Sequence, residues 1–66
     1  MEIYNKGSRD IIIARKDVIS GIPETMDKER AHITPDMVCE VSDATGEDLI
    51  RRYPKEIFRW GKQPAA

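Results

Sequence analysis

The chain has 66 residues, 39% of them hydrophobic and 35% charged, with a net charge of −1. That length supports one small core, burying about 60% of the surface that the unfolded chain exposes. The composition excludes a disordered polyelectrolyte and a membrane protein, and a single cysteine, Cys39, excludes the secreted, disulfide-stapled class.

The longest apolar run, Ile11-Ile12-Ile13-Ala14, is far short of the roughly 18 residues a membrane span needs. The opening Met1-Glu2-Ile3-Tyr4-Asn5 lacks the basic and apolar regions of a signal peptide, so a cytoplasmic protein is expected. Charge is unevenly distributed: residues 1–16 carry +2, residues 17–50 carry −7 and residues 51–66 carry +4. An acidic middle beside a basic end favours polar contact with a partner.

In chain order, Ile3-Tyr4-Asn5 and Arg9-Asp10-Ile11-Ile12-Ile13 read as two short strands. Asn5-Lys6-Gly7-Ser8 between them supplies a turn opener and a glycine free to take positive φ, which predicts a hairpin. Val18 and Ile19 suit a further strand ending at a Ser20-Gly21 turn. Pro23 is placed to open a short helix through Glu24, Met26, Asp27 and Arg30. Apolar residues are sparse here, and residues 14–32 as a whole read as a long mobile loop with one helical turn.

From Ile33 the pattern sharpens. Thr34-Pro35-Asp36 predicts a turn. Met37-Val38-Cys39-Glu40-Val41 alternates as a strand, with Cys39 and Val41 inward. Ser42 follows as a helix N-cap, with acids in the first turns and Arg51 and Arg52 in the last, as the helix dipole prefers. Glu47–Arg51 and Asp48–Arg52 are candidate ion pairs across one turn. Leu49, Ile50 and Tyr53 form the apolar stripe, Gly46 permits a close approach to the sheet, and Pro54 stops the helix. Ile57, Phe58 and Trp60 form a last apolar cluster, and Tyr53 and Trp60 are expected to complete the core. The expected fold is α+β. It has a small, mostly antiparallel sheet of three to four short strands and one main helix near residues 43–53. Residues 1–60 form one domain and residues 61–66 a frayed tail.

No residues gather as a catalytic or cofactor site. His32 has no serine or cysteine partner nearby in sequence, and Cys39 sits on a buried strand beside Glu40, which blunts a thiol. The glycines stand singly at 7, 21, 46 and 61, so no phosphate-cradling loop exists. Cys39 and His32 are not at metal-ligand spacing. Neither enzyme activity, metal nor cofactor is expected.

The segments Ile33-Thr34-Pro35-Asp36-Met37-Val38-Cys39-Glu40-Val41-Ser42-Asp43, Leu49-Ile50-Arg51-Arg52-Tyr53-Pro54 and Ile57-Phe58 resemble small proteins encoded among the virion genes of tailed bacteriophages and prophages. Asn5-Lys6-Gly7-Ser8-Arg9-Asp10-Ile11-Ile12 is similar to their first hairpin. At the central turn such proteins usually carry Pro-Gly where this chain has Pro35-Asp36, and residues 14–32 are longer than in their pattern. The resemblance implies a structural or adaptor protein of the host cytoplasm or the virion, contacting other proteins, virion components among them. It assigns no functional residue.

The candidate partner surface is the basic end: Arg51, Arg52, Lys55, Arg59, Trp60 and Lys62. The alternative function is nucleic-acid binding through the same residues, with Trp60 and Tyr53 stacking on bases. Against it, Arg51 and Arg52 already face helix acids, which leaves Lys55, Arg59 and Lys62 for phosphate.

Overall fold

A computed structural model describes residues 1–61 of the protein. The chain is α+β, with strands β1 (Glu2–Asn5), β2 (Ile11–Ala14), β3 (Val18–Ser20), β4 (Arg30–Ile33), β5 (Val38–Val41) and β6 (Ile57–Arg59), and one helix, α1 (Asp43–Arg52). The strands form two antiparallel sheets, one ordered β3-β5-β1-β6 and the other pairing β2 with β4. The larger sheet has four strands, within the expected three to four, and β2 and β4 add a second, two-stranded sheet.

Alternation determines the core. Ile3 of β1, Cys39 and Val41 of β5 and Ile57 of β6 point inward from the larger sheet. Ile11, Ile13, Ala31 and Ile33 do so from the smaller one, and Leu49 of α1 joins the same cluster. The middle isoleucine, Ile12, turns outward and is 53% exposed.

The predicted hairpin between β1 and β2 does not form, although both strands do. β1 lies between β5 and β6, and β2 pairs with β4. Asn5 accounts for the difference. Its side chain opens the turn as expected, accepting from Gly7 N–H at 2.9 Å. Its amide then donates to Arg9 O at 2.9 Å and Ile33 O at 2.8 Å, so residues 6–10 carry the chain from one sheet to the other. Ile3 and Ile13 thereby join one core from different sheets, where each apolar face is covered by the other.

Residues 14–32 are likewise not one loop. A 3₁₀ turn at Arg15–Asp17 leads into β3, Gly21 turns the chain with φ 93°, and β4 begins at Arg30. No helix follows Pro23. The intervening segment is organised around Arg15, whose guanidinium donates to Asp27 O at 3.1 Å, Pro23 O at 3.4 Å and Thr25 Oγ1 at 3.2 Å. The Asp27 carboxylate accepts from the N–H groups of Glu29 (2.9 Å) and Arg30 (3.1 Å). Those main-chain donors hold its pKa below the ordinary aspartate value.

The second half follows the sequence closely. Ser42 caps α1, accepting from Thr45 N–H at 3.4 Å. Leu49 is buried and Ile50 and Tyr53 pack against the core. Asp48 pairs with both Arg51 and Arg52 at 3.0 Å, so Arg51 takes Asp48 in place of the expected Glu47. The close approach at Gly46 is to Met1, whose Cγ would stand 3.2 Å from an added Cβ. Of the expected frayed tail, only Gly61 falls within the described residues. Among those residues, no helix is long and apolar enough to cross a membrane.

Candidate interaction surface

The antiparallel register of β1 and β6 sets Tyr4 opposite Phe58, Ile3 opposite Arg59 and Asn5 opposite Ile57. Ile3, Asn5 and Ile57 point into the core. Tyr4, Phe58 and Trp60 therefore stand on the outer face, one above the other. Trp60 and Tyr4 have ring centroids 5.2 Å apart at an interplanar angle of 44°, within the range of favourable tilted aromatic pairs. The Lys6 ammonium lies 5.9 Å from the Phe58 ring centroid, in cation–π range. With Arg59, these residues line a shallow cleft of about 350 Å³.

Trp60 was expected to complete the core, yet it is 45% exposed and Phe58 is 41% exposed. Ile57 alone of that cluster turns inward, because a strand sends successive side chains to opposite faces. Tyr53 does pack on the core, and the Arg9 guanidinium lies 5.5 Å from its ring centroid. Arg9 is held there by Glu56, at 3.1 Å.

The structure separates the predicted basic surface into parts. Arg51 and Arg52 are engaged by Asp48 on the last turn of α1. Lys55 follows Pro54 beside a small cleft formed with Arg9, Arg52 and Tyr53. Arg59 and Trp60 belong to the β6 end, where they join Tyr4, Lys6 and Phe58. Lys62 lies outside the described residues. Tyr4, Lys6 and Phe58 are not among the residues of the predicted basic end, because Tyr4 and Lys6 are distant from it in sequence and join it only through the β1–β6 register. The signal for them was a period of two, with Tyr4 and Lys6 alternating with Ile3 and Asn5.

The electrostatics of this face are mixed. Lys6 and Arg59 have no ion pair among the described residues. Acids also border the rings: Glu2 and Glu40 are opposite each other in register, and Asp36 Oδ1 accepts from the Tyr4 hydroxyl at 2.9 Å. That hydrogen bond raises the Tyr4 phenol above its ordinary pKa, with smaller contributions from desolvation and from the Asp36 charge. No continuous cationic track runs past the rings.

Elsewhere, burial pushes the Cys39 thiol up to about 11, so it is a thiol and not a thiolate at neutral pH. His32 faces Asp10 at 3.5 Å, both side chains being half exposed. Among the described residues no three His, Cys, Asp or Glu side chains are grouped to hold a metal ion. No protein-family model, curated protein or solved structure matches the chain.

Proposed function

We propose that the protein is a small adaptor that works by protein–protein contact through the outer face of β1 and β6, without chemistry of its own. The carrying observation is where its aromatic residues stand. Three of the four in the chain, Tyr4, Phe58 and Trp60, share that one face. Aromatic rings contribute most to a marginal fold when they are buried. Rings grouped on a surface are the usual anchors of protein interfaces. The resemblance of residues 5–12, 33–43, 49–54 and 57–58 to small proteins of phage virion gene clusters supports a bacterial host and a virion component as the partner.

Nucleic-acid binding is the second reading, and Lys6 and Arg59 beside the rings favour it, since stacked bases with flanking cations are a common arrangement. Glu2, Glu40 and Asp36 on the same face oppose a polyanion, which places protein contact first. Photo-crosslinking separates the two. With p-benzoylphenylalanine replacing Lys6, a protein adduct of a mass other than twice the chain is expected in producing cells, and replacing exposed Met26 should yield none. Nucleic acid as the main adduct at position 6 would transfer the function to the second reading, and equal labelling from positions 6 and 26 would remove the site.

A further inference from the structure

The two outer strands of the larger sheet are β3 and β6. An open edge invites another strand unless something blunts it. At β3 the register shifts between Val18 and Ser20, and such an irregularity disrupts a ladder. At β6 the register with β1 runs without a break, and Phe58, Arg59 and Trp60 are all exposed.

The main-chain groups of β6 divide cleanly. Lys6 N–H donates to Glu56 O at 2.7 Å and Trp60 N–H to Glu2 O at 2.9 Å. By alternation Phe58 exchanges its bonds with Tyr4, and the main-chain groups of Ile57 and Arg59 face away from β1. Ile57 N–H is already taken, donating to Tyr53 O at 2.8 Å. What remains on the open edge is two acceptors, Ile57 C=O and Arg59 C=O, and one donor, Arg59 N–H.

We infer that this edge pairs with the β6 edge of a second copy, antiparallel about a two-fold axis at Phe58. In a pair centred on a non-hydrogen-bonded residue, the residue after it donates to the residue before it on the facing strand. Arg59 N–H of each copy then meets Ile57 C=O of the other, which uses the free donor of each edge and does not call on the occupied Ile57 N–H. A pair centred on Arg59 would instead set two guanidinium groups opposite each other. On the outer face, the Phe58 rings of the two copies become cross-strand neighbours, the aromatic face runs on from one copy to the next, and Trp60 lies opposite Glu56 of the second copy. No like charges stand directly opposite. The larger sheet continues through the seam, and the interface is isologous, the commonest kind in homo-oligomers.

This inference rests on the protein-contact reading for the role of the face, but its register comes from the main chain, and its test is separate. Sedimentation of the full chain from micromolar to millimolar concentration is expected to show a monomer passing to a dimer. Arg59→Pro deletes the free N–H, which proline tolerates on an edge strand. It should keep the melting transition and weaken self-association at least tenfold. Phe58→Cys should form a disulfide-linked dimer on mild oxidation at least tenfold faster than Ile19→Cys, placed at the other edge. A wild-type chain that stays monomeric overturns the dimer. So does a Phe58→Cys variant that crosslinks no faster than the Ile19→Cys control. Dimerisation of a folded Arg59→Pro variant at wild-type strength overturns the register. Because Arg59→Pro leaves the rings in place, loss of the dimer would leave a heterologous adduct from position 6 intact, and absence of that adduct would leave the dimer standing.

Discussion

Asn5 donates its side-chain amide to the carbonyl oxygen of Ile33 at 2.8 Å, a bond that joins the larger sheet to the smaller one from within the core. Asn5 is fully buried, and its oxygen accepts from Gly7 N–H while its nitrogen also donates to Arg9 O. Alanine at this position would remove all three bonds, of which the one to Ile33 O is buried and the other two are part-buried. At about 1–3 kcal/mol for a buried group so stranded, Asn5→Ala is expected to cost about 1–3 kcal/mol in chemical denaturation. Asn5→Asp should be at least as damaging at neutral pH, because a carboxylate would face the Ile33 and Arg9 carbonyls. It should recover partly in acid, where the protonated acid can donate one bond. Equal stability of wild type and Asn5→Ala would show that this bond does not hold the sheets together.

The Thr34-Pro35-Asp36-Met37 turn offers a second test. Met37 N–H donates to Thr34 O at 3.1 Å, and Asp36 sits at φ 65°, a conformation that glycine adopts without strain. Asp36→Gly removes that strain and also removes the exposed bond from the Tyr4 hydroxyl. A small net stabilisation, below about 1 kcal/mol, is expected, whereas Asp36→Ala should destabilise. The Tyr4 phenol should titrate lower in both variants, since Asp36 is what raises it. An unchanged Tyr4 titration by NMR would dissociate the two side chains.

Cys39 makes the fold sensitive to alkali. Its thiol ordinarily ionises at 9.0 but is pushed up to about 11 by burial. The folded value is raised, so the contribution to stability is complete below pH 9 and is lost as pH climbs towards 11. The full loss is about 2–3 kcal/mol, from about 1.4 kcal/mol per pKa unit. A Cys39→Ser variant should lack this part of the alkaline slope. Native-state labelling by a thiol reagent should be much slower than for an unfolded control. Labelling at the unfolded rate would contradict the inward register of β5.

Leu49 is the residue of α1 that reaches the core most fully, at 5% exposure. Leu49→Ala is expected to cost about 2–4 kcal/mol, a large share of the stability of so short a chain. Ile50→Ala should cost less, because Ile50 is only half-buried. Equal melting temperatures for the two variants would show that the stripe is wrongly oriented.

The legible half of the sequence was the half whose signals are local. Ser42, the acids of the first helical turn, Pro54 and the alternation around Cys39 each act within a few residues of themselves, and the structure places β5 and α1 where they point. Asn5 was legible as a turn opener and illegible as the link between sheets, because its other partner is Ile33, distant in sequence. The same limit hid the role of Arg15, whose guanidinium gathers main-chain and side-chain oxygens of residues 23–27. The aromatic face was missed for a further reason. Tyr4 and Phe58 meet only through the β1–β6 register, and no pattern within either strand announces the other.

That register also has a consequence for the order of events in folding. β1 begins at Glu2, yet its two neighbours are β5 and β6, beginning at Val38 and Ile57. Of the six strands, the first in chain order is thus completed by the last. Loops closed over most of the chain lose entropy before any contact compensates, so folding is expected to take milliseconds to seconds, not microseconds. Until β6 arrives, one side of β1 has no strand to pair with. During synthesis Ile3 and its neighbours are therefore exposed to whatever else can supply a strand, a chaperone or another nascent copy included.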